Sequence, residues 1–314
     1  MRRAGAHLAV IGCAAALAGC GLGAGPAPSA VKLLVTSEFG SRTVGPHGPP
    51  LVHGQETVMS LLERNHHVTT RFGGGFVQSI EGLSGGTEGG RPVDWFYYVN
   101  GVEASKGAAA TNVNPGDHIW WDHHDWSQTE DVPAVVGSFP EPFLNGISGK
   151  RLPVRVECVE ASGPACHRVT EAMRRAGVLA AVSALGAGGG ETLRVIVGAW
   201  ARVRAEPSVA TIEDGPRASG VYARVSRSGS NITVLDADGQ QVRTLAAGAG
   251  LIAATRQGQE APVWVVTGTD PAGVEAAARA FNPSSLEDRF AVAALGGQTI
   301  ALPARTVAAG TASG

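Results

Sequence analysis

Aromatic side chains are scarce in this chain: Phe, Trp and Tyr make up 5% of 314 residues, with only 6 Trp and 3 Tyr. Charge is thin as well, at 17%, and neither sign dominates, because 25 Lys and Arg stand against 27 Asp and Glu. Without a basic stripe there is no electrostatic footprint for nucleic acid. Only 4 Cys occur, and no pair has the close spacing of a zinc knuckle. Long apolar runs are also missing. The one near the start, Leu8 to Leu17, is too short to cross a bilayer as a mature helix.

That short run follows Arg2 and Arg3 and ends in Leu17, Ala18, Gly19, Cys20, the layout of a secretory signal peptide over residues 1–19. The ending resembles the lipobox of bacterial lipoproteins. The resemblance implies that Cys20 is lipidated and that the mature chain is held on the outer face of the cell membrane; an ordinary signal cleaved nearby is the alternative. Loss of Arg2 and Arg3 makes the mature chain more acidic than the formal −2 of the whole. Residues 20–30, including LGAGPAPSA, read as a flexible tether.

Cys13 belongs to the discarded segment and Cys20 to the anchor, which leaves Cys158 and Cys166. In an oxidising exterior two remaining thiols pair or stay separately buried, and a disulfide is the expectation here. A chain of this length exceeds one compact core. Composition changes near the middle: Trp, Tyr and His concentrate up to Trp126, whereas Ala, Val, Arg and Gly dominate beyond Pro153. The expected fold class is therefore α+β, with a first domain at 31–128, a loosely packed Pro/Gly-rich linker at 129–152, a mixed α/β domain at 153–303, and a disordered tail at 304–314.

In the first domain, VKLLVTSEF from Val31 reads as a strand, and ETVMSLLERN places Val58, Leu61 and Leu62 on one helical face with Thr57 as cap. VTTRFGGGFVQSIEGL is a strand pair broken at Gly73 to Gly75. The scarce aromatics gather next: Asp94 to Trp126 holds four of the 6 Trp and two of the 3 Tyr. DWFYYVNG is a strand with Trp95 and Tyr97 on one face and Phe96 and Tyr98 on the other, closed by Asn100 and Gly101. After a turn at Asn114 to Asp117, HIWWDHHDW forms a last strand. One face can be core, yet the opposite face still carries large rings.

Taken together, E-T-V, F-G-G-G-F-V-x-S-I, W-x-Y-Y-V-N-G and the P-G-D before a Trp-rich strand resemble the C-terminal domain of the transcobalamin and intrinsic factor family, over roughly Val31 to Trp126. The resemblance implies a β-grasp fold, a mixed sheet wrapped on one helix. It also implies a cobalamin or other corrinoid ligand covered by Trp95, Phe96, Tyr97, Tyr98 and Trp126, with no cofactor otherwise. Rigid amphipathic rings suit such a disc. About half of these rings are needed as core of so small a domain. The helical barrel that completes the clamp in vertebrate members has no counterpart in this sequence, so an importer, a helical partner protein or the chain's own second half would have to supply the other surface.

The run Asp122, His123, His124, Asp125 raises a metal reading, with His118, His66 and His67 in reserve. Alternation permits only Asp122 with His124, or His118 with His124, to converge. A polar strand end reaching solvent accounts for the run, and no metal site is assigned.

In the second half, LPVRVEC and TLRVIVGAWARV read as strands and HRVTEAMRRAG as a helix. GVYARVSRSGSNITVLDADGQQV reads as hairpins turning at Gly229 and Gly239. PVWVVTGTDPAGVEAAARAF is a buried strand leading into a helix capped by Asp270, followed by a strand at FAVAAL. Nucleophile elbow, phosphate fingerprint and complete calcium loop are all lacking, so no enzyme is expected. The sequence thus points to a membrane-anchored extracytoplasmic ligand-binding lipoprotein serving uptake. A surface module for protein or glycan contact is the alternative, with a metal-dependent hydrolase behind both.

Overall fold

A computed structural model describes residues 27–305. The expectations for the signal peptide, Cys20 and the tail beyond Arg305 fall outside that range. Among the described residues no helix is long and apolar enough to cross a membrane.

The first domain is built on strands β1 (Lys32–Ser37), β2 (Arg42–Thr43), β3 (Val68–Arg71), β4 (Phe76–Ile80), β5 (Leu83–Ser84), β6 (Gly86–Glu88), β7 (Arg91–Val99), β8 (Val102–Glu103) and β9 (His118–Asp125). Its main sheet runs β2-β1-β9-β7-β6, with β8 hairpinned to β7, and β3, β4 and β5 form a separate small sheet. β1 and β9, first and last in sequence, lie parallel at the centre, and β9 pairs antiparallel with β7. Helix α1 (Val58–Asn65) packs across one face, which is the β-grasp arrangement. The Thr57 side chain accepts from the Ser60 N–H at the helix start, and Val58, Leu61 and Leu62 point into the core as their spacing requires.

The second domain centres on a seven-stranded sheet. Strands β10 (Val154–Cys158), β11 (Ala181–Ala184), β12 (Leu193–Ala199) and β17 (Val263–Gly268) are parallel. β16 (Gly250–Thr255), β18 (Ala291–Leu295) and β19 (Gln298–Leu302) extend it antiparallel. Alternation splits each strand between two cores: Trp264 and Val266 face α2 (Pro164–Arg175) and the Pro271–Ala280 helix, while Val263 and Val265 face the other way. Asp270 caps the Pro271–Ala280 helix through the Gly273 N–H at 2.8 Å. Three antiparallel strands, β13 (Ala223–Val225), β14 (Ile232–Leu235) and β15 (Gln241–Leu245), make the expected hairpins. Cys158 at the end of β10 and Cys166 in α2 are joined as a disulfide.

Four expectations need correction. TLRVIVGAWARV is a strand only to Ala199, after which Trp200–Val203 form a helical turn. The 129–152 segment does not pack loosely: Val132, Ala134, Val135, Val136, Phe139 and Phe143 are buried between the domains and against the second sheet. These apolar side chains outweigh the turn-forming Pro and Gly beside them. Pro28 and Ser29 do not belong to a free tether, because Pro28 is buried and the Ser29 carbonyl accepts from the Gly116 N–H. At the other end Ala304 is buried and its N–H donates to Leu235, so the ordered chain continues past 303.

Candidate functional site: a cleft between the domains

Both faces of the aromatic strands are covered. Trp95, Tyr97 and Trp121 join the core under α1. On the reverse face Tyr98 and Trp120, both fully buried, pack with Phe39 against Tyr222 and Phe290 of the second domain. The surplus ring surface expected from the sequence therefore exists, and its occupant is the chain's own second half. An apolar interface continuous with a domain core fixes the two units to each other.

This corrects the ring-based site. Trp95, Tyr97 and Tyr98 are sealed in cores, with exposures of 6%, 9% and 0%. Phe96 and Trp126 are half-buried, and neither lines the cleft described below. Phe96 instead stacks on His124 with ring centroids 4.4 Å apart. A small sheet with one helix cannot bury both of its faces alone, so the second face was available to a neighbouring domain before any ligand.

The acidic-histidine run is likewise not a solvated strand end: Asp122, His123 and His124 are all buried. Asp122 is a hub. Its Oδ1 accepts from the Phe39 N–H at 3.1 Å and from His124 Nδ1 at 2.8 Å, and its Oδ2 accepts from the Gly40 N–H at 2.8 Å and from the Thr36 hydroxyl. Thr36 Oγ1 in turn accepts from Trp120 Nε1 at 2.7 Å. Carboxylate oxygens only accept, so the His124–Asp122 contact requires a hydrogen on His124 Nδ1.

The β1–β2 turn explains how the N–H groups reach Asp122. Glu38, Phe39 and Gly40 have φ of 56°, 57° and 77°, three successive left-handed residues. Such a run is costly for side chains other than Gly, and here it aims adjacent backbone N–H groups at one buried carboxylate. Gly40 has a second constraint: a Cβ there would lie 2.2 Å from the Asp288 carbonyl oxygen. The same turn throws the Phe39 ring onto His124, with centroids 4.5 Å apart. His124 is thus held between Phe39 and Phe96.

His123 points to the opposite face, where its Nε2 lies 3.1 Å from the Ser84 carbonyl oxygen. Burial lowers its pKa, opposed by that carbonyl and by Asp122. His118 is pushed down to about 4 by burial, with Lys32 adding to the effect. His118 and His124 do not converge, and among the described residues no group of three His, Cys, Asp or Glu side chains could hold a metal ion.

Beside this hub opens a cleft of about 1040 Å³. The first domain contributes Phe39, Ser41, Val93, His123, His124 and Asp125, and the second contributes Val242, Arg243, Arg289 and Ile300. Ion pairs tie the walls together: Arg91 meets Asp125 at 3.3 Å and also Asp238 across the gap, while Arg305 meets Glu38 at 3.7 Å. Arg243 and Arg289 face the cleft with no ion-pair partner among the described residues. The lining therefore mixes apolar surface with charge of both signs: the Arg243 and Arg289 guanidinium groups, the Glu88 and Asp236 carboxylates, and the His124 imidazole. Such a site can hold an amphipathic molecule carrying amide, carboxylate or phosphate oxygens. Phe39, Arg243 and Arg289 gave no signal in the sequence, since they are far apart in the chain and belong to no motif.

Residues 55–125 match the family model of a domain of unknown function, DUF4430. The match begins just before α1 and ends with β9, so it includes Asp122 and His124. No curated protein matches the chain.

Proposed function

We propose that this protein is a membrane-anchored extracytoplasmic binding lipoprotein whose small-molecule ligand occupies the cleft between the β-grasp and α/β domains. What supports this is the cleft itself: about 1040 Å³ of space between two domains joined by a buried apolar interface, with a lining that mixes apolar side chains such as Phe39, Val242 and Ile300 with arginines and carboxylates. The transcobalamin-like pattern and the β-grasp topology make a corrinoid, a broad ring fringed with amides, the first ligand to try. In that arrangement the second domain takes the place of a missing partner surface. Lipidation at Cys20 would keep the protein at the membrane, where it could pass its ligand to an importer.

Titration of the native chain with cyanocobalamin and cobinamide, followed by tryptophan emission and the corrin visible bands, tests ligand and site together. Saturable binding that weakens about tenfold or more in Arg289→Ala and in His124→Phe is expected, each removing one directed polar contact. His124→Phe keeps the ring stack. Binding that both variants retain would move the ligand elsewhere. The absence of any spectral change would point instead to a surface module for protein or glycan.

A further inference from the structure

One turn breaks the pattern of buried rings. Phe72 is 88% exposed and Phe76 40% exposed, and the two meet edge to face with centroids 6.4 Å apart. They flank Gly73, Gly74 and Gly75 at the β3–β4 tip. Phe72 itself sits at φ 51°, with Gly73 and Gly74 at 69° and 90°. A bulky side chain in the left-handed region is uncommon, and here the strain gains no core contact, since the ring points into solvent. Exposed Arg71 precedes the turn, and its far side lies against Gly107, next to exposed Lys106. Neither cation takes part in an ion pair among the described residues.

Two solvated phenyl rings beside two unpaired cations have the composition of an interfacial lipid contact: rings enter the headgroup boundary, and Arg and Lys meet lipid phosphates. The start of the chain identifies the occupant. From Cys20 to buried Pro28 the tether reaches roughly 30 Å at full stretch, about the diameter of a small domain. A lipid on Cys20 therefore keeps the first domain within touching distance of the bilayer, and the surface that enters it is set by which side chains are apolar and exposed. We propose that the Phe72–Phe76 turn is a second membrane contact, inserting into the lipid interface and fixing how the tethered protein is oriented. It rests on the lipid-anchor part of the reading above and is independent of the ligand. Anchoring strength comes from the acyl chains; the turn supplies orientation, because two attachment points remove the free rotation that one allows.

The lipidated full-length chain carrying Phe72→Trp, placed in vesicles of phosphatidylcholine with roughly one-third phosphatidylglycerol, tests this directly. Relative to the parent, the added indole emission should be blue-shifted and quenched by acyl-brominated lipid. Emission that stays solvent-like and unquenched overturns the proposal. Phe72→Gly relieves the backbone and separates a structural role from a membrane role. Its melting temperature should not fall, while a remaining Phe76→Trp reporter should lose much of its quenching; a lower melting temperature with unchanged quenching means the turn is structural. Mass spectrometry of the N-terminal peptide reports the lipid on Cys20 separately. If that lipid is missing while added vesicles still quench the reporter, the anchor fails and the membrane contact stands.

Discussion

The backbone N–H of Phe39 and the Nδ1–H of His124 meet on a single oxygen, Oδ1 of Asp122, at 3.1 and 2.8 Å, while the two rings stack with centroids 4.5 Å apart. One buried carboxylate thus holds the strained β1–β2 turn, the Nδ1–H of His124 and the ring at the domain junction. Strain at Glu38 and Phe39 is offset by donors that would otherwise be buried without partners.

Asp122→Ala should therefore be among the most damaging single changes in the first domain. It strands the Phe39 and Gly40 N–H groups, the Thr36 hydroxyl and His124 at once. A loss of about 3–5 kcal/mol is expected in urea unfolding, the range for removing one partner of a buried charged network. Asp122→Asn, which keeps one acceptor, should cost about 1–3 kcal/mol. Equal, small losses in both variants would show that the hub contributes little.

Tyr98 lies at the domain junction, fully buried, with its hydroxyl lacking a hydrogen-bond partner. Burial holds the phenol well above its ordinary pKa. Tyr98→Phe removes the unpaired hydroxyl and keeps the ring, so its melting temperature should match or exceed that of the parent. Tyr98→Ala should cost about 3–5 kcal/mol through the cavity it leaves between the domains.

Glu103 should make stability fall as pH rises. Burial, reinforced by Asp131, lifts its pKa from 4.5 to about 7, against an opposing hydrogen bond from the Val132 backbone. A raised carboxyl pKa means that the folded state holds the proton more tightly, so the contribution is complete below 4.5 and is lost as pH climbs through 7. Its upper bound is on the order of 3 kcal/mol, reduced by partial solvent access. Glu103→Gln should be more stable than the parent at about pH 8 and nearly equal at about pH 5. A gap independent of pH would assign the effect to packing.

The disulfide between Cys158 and Cys166 closes a short loop, with a sequence separation of 8. Loop-closure entropy for such a ring gives about 2.5 kcal/mol. The double variant Cys158→Ala, Cys166→Ala should unfold at a lower urea concentration, with a slope equal to or slightly steeper than the parent's because the unfolded chain loses a cross-link. Because both positions are buried, part of any excess loss would be packing.

Local elements were legible wherever the pattern and its punctuation agreed. Thr57 before the Val58, Leu61, Leu62 stripe marked α1, and Asp270 with Pro271 marked the start of the Pro271–Ala280 helix. The Trp200 turn is not legible in the sequence because its apolar residues continue the β12 run, and Gly198 lies inside the strand and does not mark its end. The 129–152 segment reads as a loose linker because turn formers and core formers alternate there, and only burial shows which of them prevail. Within the site, the Asp122–His124 pairing followed from strand parity. Its depth, and the turn of Phe39 that completes it, did not.

The sequence by itself determined the aromatic surplus and which rings share a face, because side chains along a strand must alternate. What covers the second face was decided by tertiary structure alone. A β-grasp sheet presents the same row of rings to ligand, partner or neighbouring domain, and the second domain, tied to it by a buried apolar segment, meets that row first. The rings became interface, and the space for a ligand moved to the edge where the two domains part.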